Sequence, residues 1–182
     1  MWYVIIAIIV IFIIGILCYN SFIYKKNQVN NSFSSIDIFL KKRYDLIPNL
    51  VSVVKGYMDY EKTVLKDITE LRVKGMADTI SKNEKIDIDK AVTNDIKSLW
   101  GTVENYPDLK ANQQFLKLQA ALNDIEDQIS AARRSYNASV NDYNNAIQMF
   151  PSNIMAGLLG LKQEKYFELE PAGQNKVSQD GN

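Results

Sequence analysis

Glu61 and Glu126 are the two carboxylates whose positions invite a chemical reading. One falls on an apolar helical seam and the other beside a second seam, so a fold that joins the two helices would present a carboxyl pair able to act as acid and base. The rest of the chain offers that pair little support. Histidine is absent from all 182 residues, which removes the commonest general base and the commonest metal ligand. A glycine-rich phosphate loop, a CxxC pair, a nucleophile elbow and a metal motif are missing from the sequence too. A di-iron bundle needs glutamate and histidine three residues apart and is excluded in that form. An all-carboxylate Ca²⁺ or Mg²⁺ site is compatible with the residue types, but no oxygen-rich loop resembling an EF-hand is present. The expectation is therefore no catalytic residue, no cofactor and no metal.

The same polar residues have a structural use. Gln119, Glu126 and Arg133 recur every seven residues along the flank of one helix, where they can pair with Asp37, Arg43 or Glu61 on neighbours and fix register. A second echo at the same interval, Tyr136-Asn137 and Tyr143-Asn144, buries phenol rings and leaves hydroxyls and amides in need of partners.

These side chains must be positioned by helices. Met1 to Cys18 is apolar, carries one weak helix former in Gly15, and is followed by no charge before Lys25, which suits an uncleaved transmembrane anchor. A cleaved signal peptide would have a basic leader and small residues at its cleavage site, and a lipoprotein signal would place a small residue where Leu17 precedes Cys18. Lys25, Lys26, Lys41, Lys42 and Arg43 all follow the span, so the positive-inside rule puts the domain in the cytoplasm and the N-terminus outside. That single cysteine excludes an intramolecular disulfide.

Past the membrane, Val29, Phe33, Ile36 and Leu40 form one stripe on a helix expected to end near Lys42, continuous with the anchor. Asp45 as N-cap and Pro48 in the first turn predict a second helix, with a seam through Ile47, Leu50, Val54, Tyr57, Glu61, Val64, Ile68 and Leu71. A loop is expected from Lys74 to Asp87, then a third helix carrying Ile88, Val92, Ile96, Leu99 and Val103 and stopping before Pro107. The fourth runs from about Asn112 to Phe150 on a seam of Phe115, Leu118, Leu122, Ile125, Ile129, Ala132, Tyr136, Tyr143, Ile147 and Phe150, interrupted at Ser139 beside Val140. Pro151 ends it, and Ile154 to Leu161 read as a short apolar cap.

Lysine plus arginine and aspartate plus glutamate number 21 each, so no global field favours nucleic acid. Lys25 and Lys26 are placed to meet anionic headgroups; Lys41, Lys42 and Arg43 lie too far along the rod and read as a solvated helix end.

The run Arg43-Tyr44-Asp45-Leu46-Ile47-Pro48-Asn49-Leu50-Val51, then Lys55-Gly56-Tyr57 and Glu61, resembles the signature of LemA family proteins. Tyr106-Pro107-Asp108-Leu109-Lys110-Ala111, Phe115, Gln119, Glu126, Ile129, Arg133, the two Tyr-Asn steps, Phe150-Pro151-Ser152-Asn153, Gly157-Leu158 and Tyr166-Phe167-Glu168 extend the resemblance in order and spacing, from about Tyr19 to Glu168. It implies a membrane-anchored antiparallel helical bundle with a long first helix, found mainly in bacteria. No established catalytic activity or cofactor comes with it, and it hints at an accessory part in membrane protein quality control or envelope upkeep.

Together these readings predict an all-α chain: a transmembrane anchor over residues 1–19, a bundle of about four helices plus a short C-terminal cap over 20–168, and a disordered tail over 169–182. The expected function is a non-enzymatic scaffold or interaction protein; the alternatives are a carboxylate-dependent hydrolase using Glu61 and Glu126, and a lipid-responsive membrane element. Expected partners are the lipid bilayer through residues 1–19, a membrane-associated protein and, as one option, a second copy of the chain. Candidate interaction residues are Asp37, Arg43, Tyr44, Asp45, Pro48, Asn49, Glu61, Gln119, Glu126, Arg133, Tyr136, Asn137, Tyr143, Asn144 and Pro151.

Overall fold

A computed structural model describes residues 1–58, 62–77 and 79–167. Among them are helices α1 (Trp2–Lys55), α2 (Lys62–Gly75), α3 (Lys82–Val103), α4 (Pro107–Lys110), α5 (Gln113–Gln148) and α6 (Ser152–Leu158), and no strand. The fold is all-α. Two long antiparallel helices, α1 and α5, form its spine, and the α2–α3 pair packs alongside. Ser32 Oγ lies 2.9 Å from Ser139 Oγ, and the ring of Phe33 meets that of Tyr136 edge-on with centroids 5.7 Å apart. Ser139, which interrupts the α5 seam, is thus where the two spine helices share a hydroxyl contact, with Val140 buried beside it.

The first helix is longer than expected. It has 54 residues, about 81 Å at 1.5 Å per residue, and runs through Lys42, Asp45 and Pro48 without a break. Asp45 is not an N-cap but an exposed mid-helix residue. A proline inside a helix has no N–H for the carbonyl four residues back and crowds it, which ordinarily costs the helix about 3 kcal/mol. Here the deprived carbonyl is that of Tyr44, and Arg72 Nε of α2 donates to it at 2.9 Å. A replacement donor from a neighbouring helix therefore satisfies the acceptor that Pro48 abandons. Gly75, one turn further along α2, lies on the Tyr44 ring: a Cβ there would stand 2.6 Å from the ring and its hydroxyl.

The predicted second helix is accordingly divided. Ile47, Leu50 and Val54 are buried on α1, while α2 contributes Leu65 and Ile68, with Val64 and Leu71 only half-buried. Tyr57 is exposed in the turn between them; Glu61 lies outside the described residues, as do Glu168 and the predicted tail over 169–182. The loop expected from Lys74 to Asp87 is shorter, because Ser81 and Glu84 form a capping box: Glu84 N–H donates to Ser81 Oγ at 3.3 Å and Ser81 N–H to Glu84 Oε2 at 2.8 Å. Asn112 caps α5 by accepting from the N–H groups of Gln114 and Phe115 at 2.8 and 3.0 Å. That helix stops at Gln148, so Phe150 lies beyond the seam and is exposed.

If Arg72 compensates Pro48, the two must couple. In the detergent-solubilised chain, Arg72→Met should lower stability by about 1.5–3 kcal/mol, the range for a hydrogen bond to a charged donor, and by clearly less in a Pro48→Ala background, where the alanine supplies its own N–H. Equal losses in both backgrounds, read from denaturant midpoints, would contradict the compensation.

Candidate functional site

The α1 stripe does not stop at Leu40. Buried positions continue through Arg43, Ile47, Leu50 and Val54 in alternating steps of three and four, so Arg43 occupies a core seam position and is 1% exposed. This corrects the expectation of a solvated helix end for Arg43. On α3 the same alternation runs Asp89, Val92, Ile96, Leu99 and Val103, and Asp89 is fully buried. An arginine and an aspartate on facing seams must find each other, because a buried charge without a partner costs several kcal/mol.

They do, and α5 completes the set. Arg43 Nη2 donates to Asp89 Oδ1, and Arg133 Nη2 to Asp89 Oδ2. Arg43 Nη1 donates to Glu126 Oε2 at 2.8 Å and to Thr93 Oγ1 at 3.0 Å, while Arg133 Nη1 stands 3.6 Å from Glu126 Oε1. Two guanidinium groups and two carboxylates thus close a neutral ring that joins α1, α3 and α5. On its outer side the Arg133 guanidinium sits 4.9 Å from the centroid of the Phe167 ring.

The ring decides how the carboxylates can be used. Glu126 has both oxygens directed at arginines, so its carboxylate is already engaged in ion pairs. Asp89, rather than the expected Asp37, is the aspartate that meets the α5 flank. Asp37 instead pairs with Lys85 of α3 and, at 3.4 Å, with Lys41. Gln119 is half-buried two turns before Glu126. The Tyr44 phenol is pushed up to about 12 by burial, against the pull of the neighbouring Arg43 guanidinium, and Tyr136 is pushed up to about 12 by burial and by Glu164. Both phenols stay protonated at neutral pH. Among the described residues there is no group of three or more acidic or thiol side chains arranged to hold a metal ion.

The Tyr-Asn steps have a different task. Asn144 accepts from Glu164 N–H at 2.9 Å and donates to Glu164 C=O at 3.0 Å. Asn137 does the same with Phe167, at 2.8 and 2.7 Å. Tyr136 Oη donates to Lys165 C=O at 3.1 Å. Each asparagine amide therefore mimics a strand neighbour for one residue of an extended strap. Spacing explains the fit: seven helical residues rise about 10.5 Å, and three extended residues span about 10 Å. Tyr143 is buried beside them, its hydroxyl unpaired among the described residues.

Within the Arg43–Val51 run, Arg43, Tyr44, Ile47, Leu50 and Val51 face inward, while Asp45, Pro48 and Asn49 face out. Asn49, Ser52 and Val53 with Gln114, Lys117 and Leu118 line an open groove of about 380 Å³ between α1 and α5. Pro151 is exposed at the head of α6.

A family model described as the LemA family matches residues 32–179. Among curated proteins, the chain is 29% identical to Protein LemA of Metamycoplasma hominis, covering 82% of this chain and 68% of that one. It is 22% identical to Magnetosome protein MamQ 2 of Paramagnetospirillum magneticum, covering 87% and 68%, and 23% identical to Magnetosome protein MamQ of Magnetospirillum gryphiswaldense, with the same coverage of 87% and 68%.

Two outcomes check this geometry. Asp89→Ala, which strands two guanidinium groups in the core, should cost about 3–5 kcal/mol, whereas Glu126→Gln, at a position about one-third exposed, should cost much less; comparable losses in denaturant titrations would contradict the ranking. Asn137→Ala should abolish slow hydrogen exchange at Phe167 N–H while leaving Glu164 N–H protected by Asn144.

Proposed function

Because the chain belongs to the LemA family, we propose that it is a membrane-anchored, non-enzymatic scaffold that presents a helical bundle to a membrane-associated protein. The observation that carries the reading is the continuity of α1. One helix includes a segment apolar and long enough to cross a bilayer, with mean hydropathy 2.9 over 18 residues, and the same helix supplies half of the bundle spine. Aromatic residues support that assignment. Trp2 and Tyr3 at one end and Tyr19 and Tyr24 at the other are exposed, about 24–33 Å apart along the axis, as interface belts require. The excess of lysine after the span, at Lys25, Lys26, Lys41 and Lys42, orients the bundle to the cytoplasm and the N-terminus outward.

The use of the polar groups supports a scaffold role. The interior charges are committed to one another, which leaves the outward residues of the motif, Asp45, Pro48 and Asn49, and the groove beside Asn49 as the surface for a partner. An accessory part in membrane protein quality control or envelope upkeep fits such an adaptor. The hydrolase alternative is the weaker reading, since Glu126 is held between two arginines.

The test uses the full chain purified in mild detergent after chemical crosslinking in cells. A crosslinked membrane protein should be captured by the wild-type chain and lost from Asn49→Arg/Lys117→Glu, with the thermal midpoint unchanged. An Asn94→Cys probe in a Cys18→Ser background should react with an impermeant maleimide only after lysis. Capture that ignores the groove charges, or a chain that runs alone, would overturn the scaffold reading; labelling of intact cells would reverse the orientation.

A further inference from the structure

The antiparallel pairing of α1 with α5 does not end where the charges end. Arg43 meets Glu126, Phe33 meets Tyr136, Ser32 meets Ser139, and the same descent continues until Met155 of α6 lies against Gly15 of α1, where a Cβ would come within 2.9 Å of the Met155 methyl. Gly15 is ten residues on the anchor side of Lys25, about 15 Å along the helix. By the register of the Ser32–Ser139 contact, Lys25 is level with Ala146, so the turn after α5 and all of α6 lie beside the uncharged part of α1. The core itself continues there, since Phe22 is 2% exposed.

This end of the molecule has a composition unlike the rest of the bundle surface. From Tyr143 to Leu161 there is no charged residue. Met149, Phe150, Ile154, Leu158 and Leu159 are exposed, Phe150 and Leu158 each at 80%. Gly160, at φ 63°, reverses the chain after α6, and the strap then climbs to Glu164 at the level of Asn144. Large exposed apolar side chains on an uncharged hairpin mark a contact surface, and what lies around Gly15 of an anchored α1 is lipid.

We propose that the hairpin formed by residues 149–161 is a second membrane contact, inserted into the same leaflet as the domain-side end of the anchor, with Phe150, Ile154 and Leu158 among the acyl chains near the headgroups. The proposal rests on the reading of α1 as a membrane span. Tyr19 lies four residues, about 6 Å, toward the bundle from Gly15, which sets the insertion just below the aromatic belt. Short apolar elements of this kind lie in the interface plane rather than crossing it. The bundle then stands on two points of attachment.

The full chain with Cys18→Ser, carrying one polarity-sensitive fluorophore at Phe150→Cys, Leu158→Cys, Ile13→Cys or Asn94→Cys, is reconstituted in vesicles of three parts phosphatidylcholine to one part phosphatidylglycerol. Probes at 150 and 158 should be blue-shifted relative to that at 94 and quenched most by lipids bearing a nitroxide near the headgroup. The probe at 13 should be quenched most by a nitroxide deep in the chains. If the probes at 150 and 158 respond to aqueous iodide like that at 94, while the probe at 13 keeps its lipid quenching, the hairpin proposal falls and the anchor stands. Shielding of 150 and 158 from both quenchers means a protein covers them and also overturns the proposal. Loss of lipid quenching at 13 defeats the anchor reading and the proposal with it.

Discussion

The bundle depends on a charge balance in its core. Arg43 and Asp89 take seam positions on two helices that would otherwise hold leucine or isoleucine, and each is tolerable only because the other is there. Arg133 and Glu126, one heptad apart on α5, close the ring and make the interior neutral. Apolar seams specify register weakly on their own, whereas these four charges pair only when Arg43, Asp89, Glu126 and Arg133 stand level with one another. The register of α1 against α5, and hence the level at which every other contact forms, follows from it.

Two further devices act at the ends of that framework. Pro48 and Arg72 solve a local problem with a distant residue: the acceptor left on Tyr44 becomes the docking point for α2. The strap uses asparagine amides as substitute strand partners, so an extended segment is held on a helix without any sheet. In both cases the backbone hydrogen-bonding capacity that regular structure leaves over is met by a side chain.

Much of this was legible in the residues. The all-α class, the apolar N-terminal run and the long seam of α5 are periodic, and periodicity is what a sequence displays directly. Arg43 and Asp89 were legible too, since the alternating steps of three and four pass through both; charge alone made the former look like a solvated end and left the latter unnoticed. The capping box Ser81–Glu84 was present in the residues as well, yet the expected loop ran through it to Asp87. Pro48 misled because its fit to a helix start is local, while its tolerance inside α1 rests on an arginine 24 residues later in the chain. The strap had no signature, because pairing between an amide side chain and an extended backbone leaves no period in the residues that are held.

An unbroken α1 has no joint between membrane and bundle. For a chain anchored as proposed, whatever sets the inclination of the span also sets the attitude of everything above it. A tilt of about 20°, ordinary for a single span, would carry Lys55, some 45 Å beyond Lys25, roughly 15 Å sideways across the membrane surface. Bilayer thickness thereby acquires a lever: a thinner membrane leans the arm, a thicker one rights it, and the reach of the bundle over its neighbours changes without any rearrangement inside it.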